Sequence, residues 1–261
     1  MLATRFARKK TGADAEILYQ GLWVHRLGPY YYPDGRQFNY TSATFRHWKD
    51  LAKLYITDAE DFWLRHNPPQ KGDVVIDVGA GRGESTLAFS QAVGDTGRVI
   101  AIEAHPLSFQ FLEVFCSLNR LVNTMPLQLA VMDKSGMVSL VESESWWGAN
   151  TIGQSNGSQG IQVRAATLDE ICEAEGIKQI DFLKMNIEGA ERYALLGMES
   201  VIHRVQTICV ACHDFLADSG HGEQFRTRDF VEQFLTEHGF NLASRPDDHR
   251  NYVRDHVFGL R

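Results

Sequence analysis

"VIDVGAGRGES", residues 75–85, sets three glycines between a short apolar run and a helical pattern. A glycine turn in that position lets backbone come close to a ligand. The spacing decides which ligand. A dinucleotide fingerprint needs Gly-x-Gly-x-x-Gly, so Gly79 and Gly81 require a third glycine at position 84. Position 84 is Glu84, and the third glycine comes early, as Gly83. A carboxylate at the opening of a helix repels a diphosphate docked there. The turn therefore suits a ligand without phosphates.

The chain on either side follows an alternating rhythm. "DVVIDVG" (73–79), "GRVIAIEA" (97–104) and "MPLQLAV" (125–131) are short apolar runs that read as strands. "ESTLAFSQAV" (84–93) and "PLSFQFLEVFCSLNRL" (106–121) have helical spacing, with Pro106 suited to a first turn. Residues 133–166, rich in Gly, Ser and Asn, read as a β insertion on the sheet edge. "TLDEICEAEG" (167–176) is a helix between an N-cap Thr167 and Gly176. "QIDFLKMNI" (179–187) and "VQTICVACHDF" (205–215) are strands flanking the helical "GAERYALLGMESVI" (189–202). After a helix at 227–239, "FNLASR", the polar turn "PDDHR" and "YVRDHVFGLR" predict an antiparallel hairpin at 240–261. A doubly wound parallel sheet that finishes on a reversed strand is the arrangement of class I methyltransferases.

Residues 1–70 differ in composition. Nine of the thirteen Trp and Tyr residues lie before residue 66: Trp23, Trp48, Trp63, Tyr19, Tyr30, Tyr31, Tyr32, Tyr40 and Tyr55. "LGPYYYPDGRQFNY" (27–40) reads as a turn-rich aromatic loop, and residues 41–56 and 58–66 as helices. This N-terminal helical and aromatic extension (1–70) is expected to pack on the core formed by 71–261.

Composition bounds the function. The 261 residues are 44% hydrophobic and 23% charged, ordinary for a globular chain. A net charge of -7, with both signs mixed, leaves no basic footprint for nucleic acid. No apolar run approaches the roughly 20 residues that span a bilayer. "MLATRFARKK" (1–10) is basic but lacks the apolar stretch and cleavage site of a secretory signal, so a cytoplasmic location is expected. Cys209 and Cys212 fall in a buried-strand pattern, where residues three apart face opposite sides. They are expected to be core residues, not a zinc or redox pair.

In an open parallel sheet, ligands bind outside the carboxyl ends of the strands. Asp77 ends the first strand of the alternating region, and Glu103 ends the second, 20 residues past Gly83. A carboxylate there can take both hydroxyls of a ribose. "KMNIEGAE" (184–191) offers Lys184, Asn186, Glu188 and Glu191, and "CHDF" (212–215) offers His213 and Asp214. Their convergence on one rim is the functional signal. His249 and His256, in the terminal hairpin, are expected to be solvated.

"VIDVGAGRGES", "VIAIEAHPLSFQFL" (99–112), "TLDEI" (167–171) and "IDFLKMNIEGAE" (180–191) together resemble the FkbM-type S-adenosylmethionine-dependent methyltransferases, over about residues 72–240. Two departures stand out: Asn186 replaces the family's usual Asp, and "EAHP" lacks a Pro directly after the acid. The resemblance implies a Rossmann-like, doubly wound α/β sheet, mostly parallel, and S-adenosylmethionine as cofactor. It implies that Gly79, Ala80, Gly81, Gly83 and Ser85 approach the methionine portion, with Asp77 at its amino group. Glu103 and Ala104 would hold the ribose, Ala130 and Val131 the adenine, and Asn186 would complete the cofactor site. It implies methyl transfer to a hydroxyl oxygen of a sugar, free or on a glycolipid, polysaccharide or natural product.

An alcohol needs a base, and of the rim groups His213 has an ordinary pKa of about 6.5, close to working pH. His213 is the expected base, assisted by Asp214, with Glu188 as runner-up and Lys184 as orienter of the acceptor. Glu188 and Glu191 read as the N-terminus of a helix, where the dipole lowers basicity. Trp146 and Trp147 are candidate walls of the acceptor cleft. Mg²⁺ held by Asn186, Glu188 or His213 is an alternative without diagnostic spacing, so no metal is assigned. The rivals are a nucleotide-binding oxidoreductase, which needs glycine spacing this chain lacks, and a non-catalytic module, which would lose the rim. Nothing in the sequence sets an oligomeric state.

Overall fold

The computed structural model describes residues 2–12, 14–36, 55–142, 150–152 and 160–261. The chain opens with helix α1 (Leu2–Thr11) and strands β1 (Ala15–Tyr19), β2 (Trp23–Leu27) and β3 (Tyr30–Gly35). Residues 55–62 are helical (α2). The alternating region follows as β4 (Val74–Val78), α3 (Glu84–Val93), β5 (Arg98–Ile102), α4 (Pro106–Leu118) and β6 (Thr124–Leu127). Next come β7 (Ala130–Val131), β8 (Gly136–Glu142), β9 (Asn150–Ile152), β10 (Ile161–Ala166) and α5 (Leu168–Ala174). The chain continues through β11 (Ile180–Met185), α6 (Glu191–Leu196), β12 (Val205–Ala211), α7 (Asp214–Asp218) and α8 (Arg228–Glu237). It closes with β13 (Asn241–Ser244), α9 (Asn251–Arg254) and β14 (His256–Leu260).

Seven strands form the central sheet in the order β13-β14-β12-β11-β4-β5-β6. The pairs from β12 to β6 are parallel, whereas β14 is antiparallel to both β12 and β13. The apolar runs seen in the sequence are continuous because helices cover both faces, so successive side chains are all buried. Val75, Val99, Phe182 and Cys209 face α2 and α3 through Trp63, Ala88 and Phe89. Ile76, Ile100, Leu183 and Cys212 face the other way, toward Leu168, Leu195, Val231 and Leu235. The two cysteines thus lie on opposite sides, buried and unpaired. Helix α5 starts on a capping box, with the Thr167 hydroxyl accepting from Glu170 N and the Glu170 carboxylate accepting from Thr167 N.

Four expectations need correction. The terminal strands are not joined by a short polar turn: residues 245–255 intervene and include α9, so β14 lies inside the sheet, between β12 and β13. "MPLQLAV" is split, because β6 stays in the central sheet while β7 joins a second one, ordered β7-β10-β8-β9. The insertion is therefore a sheet of its own. "YYYPDG" is a strand, not a loop. It completes the antiparallel sheet β1-β2-β3, which leans on α4 where Asn119 accepts from Tyr31 N at 2.8 Å and donates to Tyr31 O at 2.7 Å. Finally, His256 is 3% exposed and stacks on Trp63, ring centroids 4.7 Å apart, while His249 is solvated as expected. Tyr40, Trp48, Trp146 and Trp147 lie outside the described residues.

Candidate active site

The glycine turn is built by backbone. Gly79 (φ 75°), Gly81 (φ 59°) and Gly83 (φ 97°) all hold left-handed conformations that side chains resist. A Cβ on Gly79 would lie 1.9 Å from Asn186 O, and one on Gly83 would lie 2.6 Å from the Phe115 ring. Gly79 N and Ala80 N donate to Ile102 O at 2.9 and 3.0 Å, which ties the turn to β5. The Ala80 methyl points into the core with Ala101 and Leu112, away from the cleft. Ser85 is half-buried at the second position of α3. Glu84 opens the helix, its carboxylate accepting from Arg82 N at 3.1 Å, and burial raises its pKa.

Beneath the turn lies a buried ion pair. Asp77 and Lys184 are register partners on β4 and β11, with Lys184 Nζ 2.9 Å from Asp77 Oδ1. Lys184 also donates to Gly79 O at 2.6 Å and sits 5.2 Å from the Trp63 ring centroid. The second Asp77 oxygen accepts from the Thr86 hydroxyl at 2.7 Å. Asp77 and Lys184 are 0% and 2% exposed, so both support the turn from behind. The expected part for Lys184, orienting an acceptor, does not suit that position.

Above the turn is an open cleft of about 520 Å³. Of the expected residues, Gly79, Glu103, Ala104, Ala130, Val131, Asn186 and Glu188 line it. Asp77, Ala80, Gly81, Gly83, Ser85, Lys184 and His213 do not. Sequence reasoning missed the apolar contributions of Ile102, Leu129, Leu140 and Ile187. Leu140 comes from β8 of the second sheet, and its only signal was the alternation of Val138 and Leu140 within "GMVSLVE". Glu103 is held rigidly: Oε1 accepts from His105 N and Oε2 from Gly81 N, both at 2.8 Å. Desolvation outweighs these two bonds and lifts its pKa to about 7.

At the far rim, His213 bridges two carboxylates. Nδ1 is 3.0 Å from Glu191 Oε1 and Nε2 is 3.3 Å from Glu188 Oε2. Burial alone would depress the imidazole, but Glu191 and Glu188 overcome it and raise the pKa to about 10. His213 is thus an imidazolium at neutral pH. Two carboxylates that favour the charged imidazole do not suit the expected base of ordinary pKa. Asp214 does not assist it. That carboxylate accepts from Thr227 N and Arg228 N instead, both at 3.1 Å. Glu188 also departs from expectation: it sits in a left-handed turn (φ 53°), three residues before α6, beyond the first-turn dipole. Glu191 is the first residue of α6 and is 0% exposed.

The lining has a definite chemical character. It holds two carboxylates, Glu103 and Glu188, an amide, Asn186, an imidazole, His105, and broad apolar walls, with no Lys or Arg among the described lining residues. That donor set fits a ligand that pairs a flat apolar ring with a polyol and positive charge. It does not fit a phosphate. Among the described residues, no group of three or more His, Cys, Asp and Glu side chains is placed to hold a metal ion, and no helix is long and apolar enough to cross a membrane.

The seven-stranded order with one reversed strand, closed over a glycine turn and an acid at the next strand end, defines a class I methyltransferase fold. Residues 77–242 match the methyltransferase FkbM domain, and the chain belongs to that family, which uses S-adenosylmethionine. The chain is similar to methyltransferase FkbM from Methylobacillus flagellatus KT: 15% identity, 84% of this chain and 59% of that one covered, TM-score 0.49. It thus spans 59% of that protein's length. It is also similar to a SAM dependent methyltransferase from Aquifex aeolicus, at 16% identity over 85% of this chain and 97% of that one, TM-score 0.46. Aeropyrum pernix fibrillarin with natively bound S-adenosyl-L-methionine shares 13% identity over 94% and 98% of the two chains, TM-score 0.45. No curated protein matches the chain.

Proposed function

We propose that this chain transfers the methyl group of S-adenosylmethionine to a hydroxyl oxygen on a sugar or a glycosylated natural product. The observation that carries the reading is Glu188, a carboxylate on the cleft wall whose Oε2 faces the His213 imidazolium at 3.3 Å. Its Oε1 is left as the proton acceptor.

The bound cofactor supplies an activated methyl group. Glu103 would hold the ribose, since each of its oxygens keeps a lone pair beyond the one given to backbone. Ile102, Ala130, Val131 and Leu140 offer apolar faces for the adenine. Gly79 and Asn186 bring backbone and amide to the remaining portion. The negative charge of Glu103 and Glu188 favours a cationic ligand in a half-desolvated cleft. An alcohol is a weak nucleophile until its proton leaves, and Glu188 would accept that proton. His213, kept charged by the buried Glu191, orients Glu188. The described part of the N-terminal extension supplies a cover for the acceptor, where aromatic faces suit sugar C–H groups.

Purified chain, incubated with S-adenosylmethionine and a panel of saccharides and glycosides, should release S-adenosylhomocysteine with an O-methylated product. Glu188→Gln should lower turnover by about 100-fold or more, with S-adenosylhomocysteine affinity in calorimetry unchanged. Methylation of nitrogen or carbon acceptors alone, or near-normal turnover by Glu188→Gln, would sink the reading.

A further inference from the structure

We propose that α1 and the end of β1 form a docking surface for an anionic lipid bilayer. The proposal stands independently of the acceptor. The chain as a whole is acidic, with net charge -7, yet α1 (LATRFARKKT) carries Arg5, Arg8, Lys9 and Lys10 and no acidic residue. Its orientation is fixed from beneath: Ala7 and Thr11 are buried, and the Thr4 hydroxyl donates to Ile17 O and accepts from Ile17 N, each at 3.1 Å. With about 100° per residue, Leu2, Phe6 and Lys9 then share the outer face, flanked by Arg5 and Lys10. Leu2 is 83% exposed and Phe6 44%.

Strand β1 runs back along the helix, because Arg8 Nε also donates to Ala15 O at 2.8 Å. Tyr19, 59% exposed, therefore lies at the Leu2 end of the unit. Among the described residues, three of the nine exposed large hydrophobics fall within these first 19 positions. That concentration marks a patch, not scatter.

Charge identifies the occupant. Asp14 is paired with Arg8 at 3.2 Å and Arg26 at 3.0 Å, and Glu16 with Arg26 at 3.4 Å. The acids of the unit are thus already engaged, while Arg5, Lys9 and Lys10 form no ion pair among the described residues. Apolar side chains ringed by uncompensated cations match the headgroup region of a bilayer, where the chains enter the acyl boundary and the cations meet lipid phosphates. A nucleic-acid backbone would use the cations but gain little from Leu2 and Phe6.

The full chain, sedimented with vesicles, provides the test. It should pellet with phosphatidylcholine vesicles containing about a third phosphatidylglycerol and stay free with phosphatidylcholine alone. Lys9→Gln should lower the partition coefficient by about fivefold, Lys9→Arg should retain it, and Leu2→Ser with Phe6→Ser should abolish pelleting. About 0.5 M salt should release the protein. S-adenosylhomocysteine affinity and circular dichroism should be unaltered in every variant, so a docking failure stays separate from a failure of the site. Equal partition onto both vesicles, no partition onto either, or indifference to these substitutions would overturn the proposal. So would a micromolar self-association that Leu2→Ser with Phe6→Ser removes.

Discussion

Glu103 shows how one residue converts environment into chemistry. Two backbone N–H groups hold its carboxylate, yet desolvation wins and its pKa is about 7. The folded value is raised, so its contribution to stability is complete below the unfolded value and fades as pH rises through about 7. Ligand binding should run the other way, since the ionised form is the better acceptor for a ribose diol. S-adenosylhomocysteine affinity should therefore climb as pH passes through about 7. Glu103→Gln should bind at least about tenfold more weakly, the cost of one charge-assisted hydrogen bond, and lose the pH dependence. Calorimetry between pH 5.5 and 8.5, with about ±1.5 units around the ionisation, covers the transition. The place of Glu103 on the cleft wall was legible, because an acid that ends a parallel strand lies at the rim where ligands bind. The Asp77–Lys184 pair was not: their contact depends on which strand lies beside which, and a single sequence does not state strand order.

Between elements, His213 welds the end of β12 to the turn that precedes α6. The rim residues "NIEGAE" and "CHDF" were legible as a cluster, but their protonation was not. That depends on two carboxylates reaching the same imidazole from one loop. With the folded pKa at about 10, the imidazolium's stabilisation is full below pH 6.5 and is lost as pH rises toward 10. Thermal melts across pH 6–10 should show a progressive fall in Tm over that window. His213→Phe leaves Glu191 buried without its countercharge, a loss of about 3–5 kcal/mol at neutral pH, and should flatten the alkaline fall. A variant melting like the parent throughout would show that the pair is not formed. The strand β3 was misread for a different reason. Pro33 and Gly35 are turn residues by habit, but an edge strand tolerates both where no partner needs their N–H.

Across the whole molecule, α2 is fastened to the loop between β13 and β14. Asp61 meets Arg245 at 3.2 Å and Arg250 at 2.8 Å, and Trp63 stacks on His256. Burial lowers the His256 pKa to about 4 and that of His25 to about 3. Both are buried neutral, so their stabilisation is present above pH 6.5 and is lost as pH falls toward those values. Acid titration followed by tryptophan fluorescence should show the Trp63 environment loosening below about pH 6, the unfolded-state range for histidine. His256→Phe should move that transition to lower pH. If the midpoint does not move, His256 is not the group that titrates. The nearby polar run "PDDHR" disguised this histidine in the sequence: His256 pairs with Ala211 inside the sheet and is covered by Phe62 and Trp63, contacts that a single sequence does not state.

The reversed strand has a consequence for synthesis. Because β14 lies between β12 and β13, the interior of the sheet is completed by residues 256–260, long after β12 has left the ribosome. Until then a nascent chain carries β12 with one naked edge and β13 with no partner at all. Such edges recruit other chains. The helices that cover both faces can gather early, but the last slot must be kept open and then filled by insertion, not by addition at a rim. A chain cut before residue 256 would leave both edges open, and it should aggregate where the full sheet stays monodisperse.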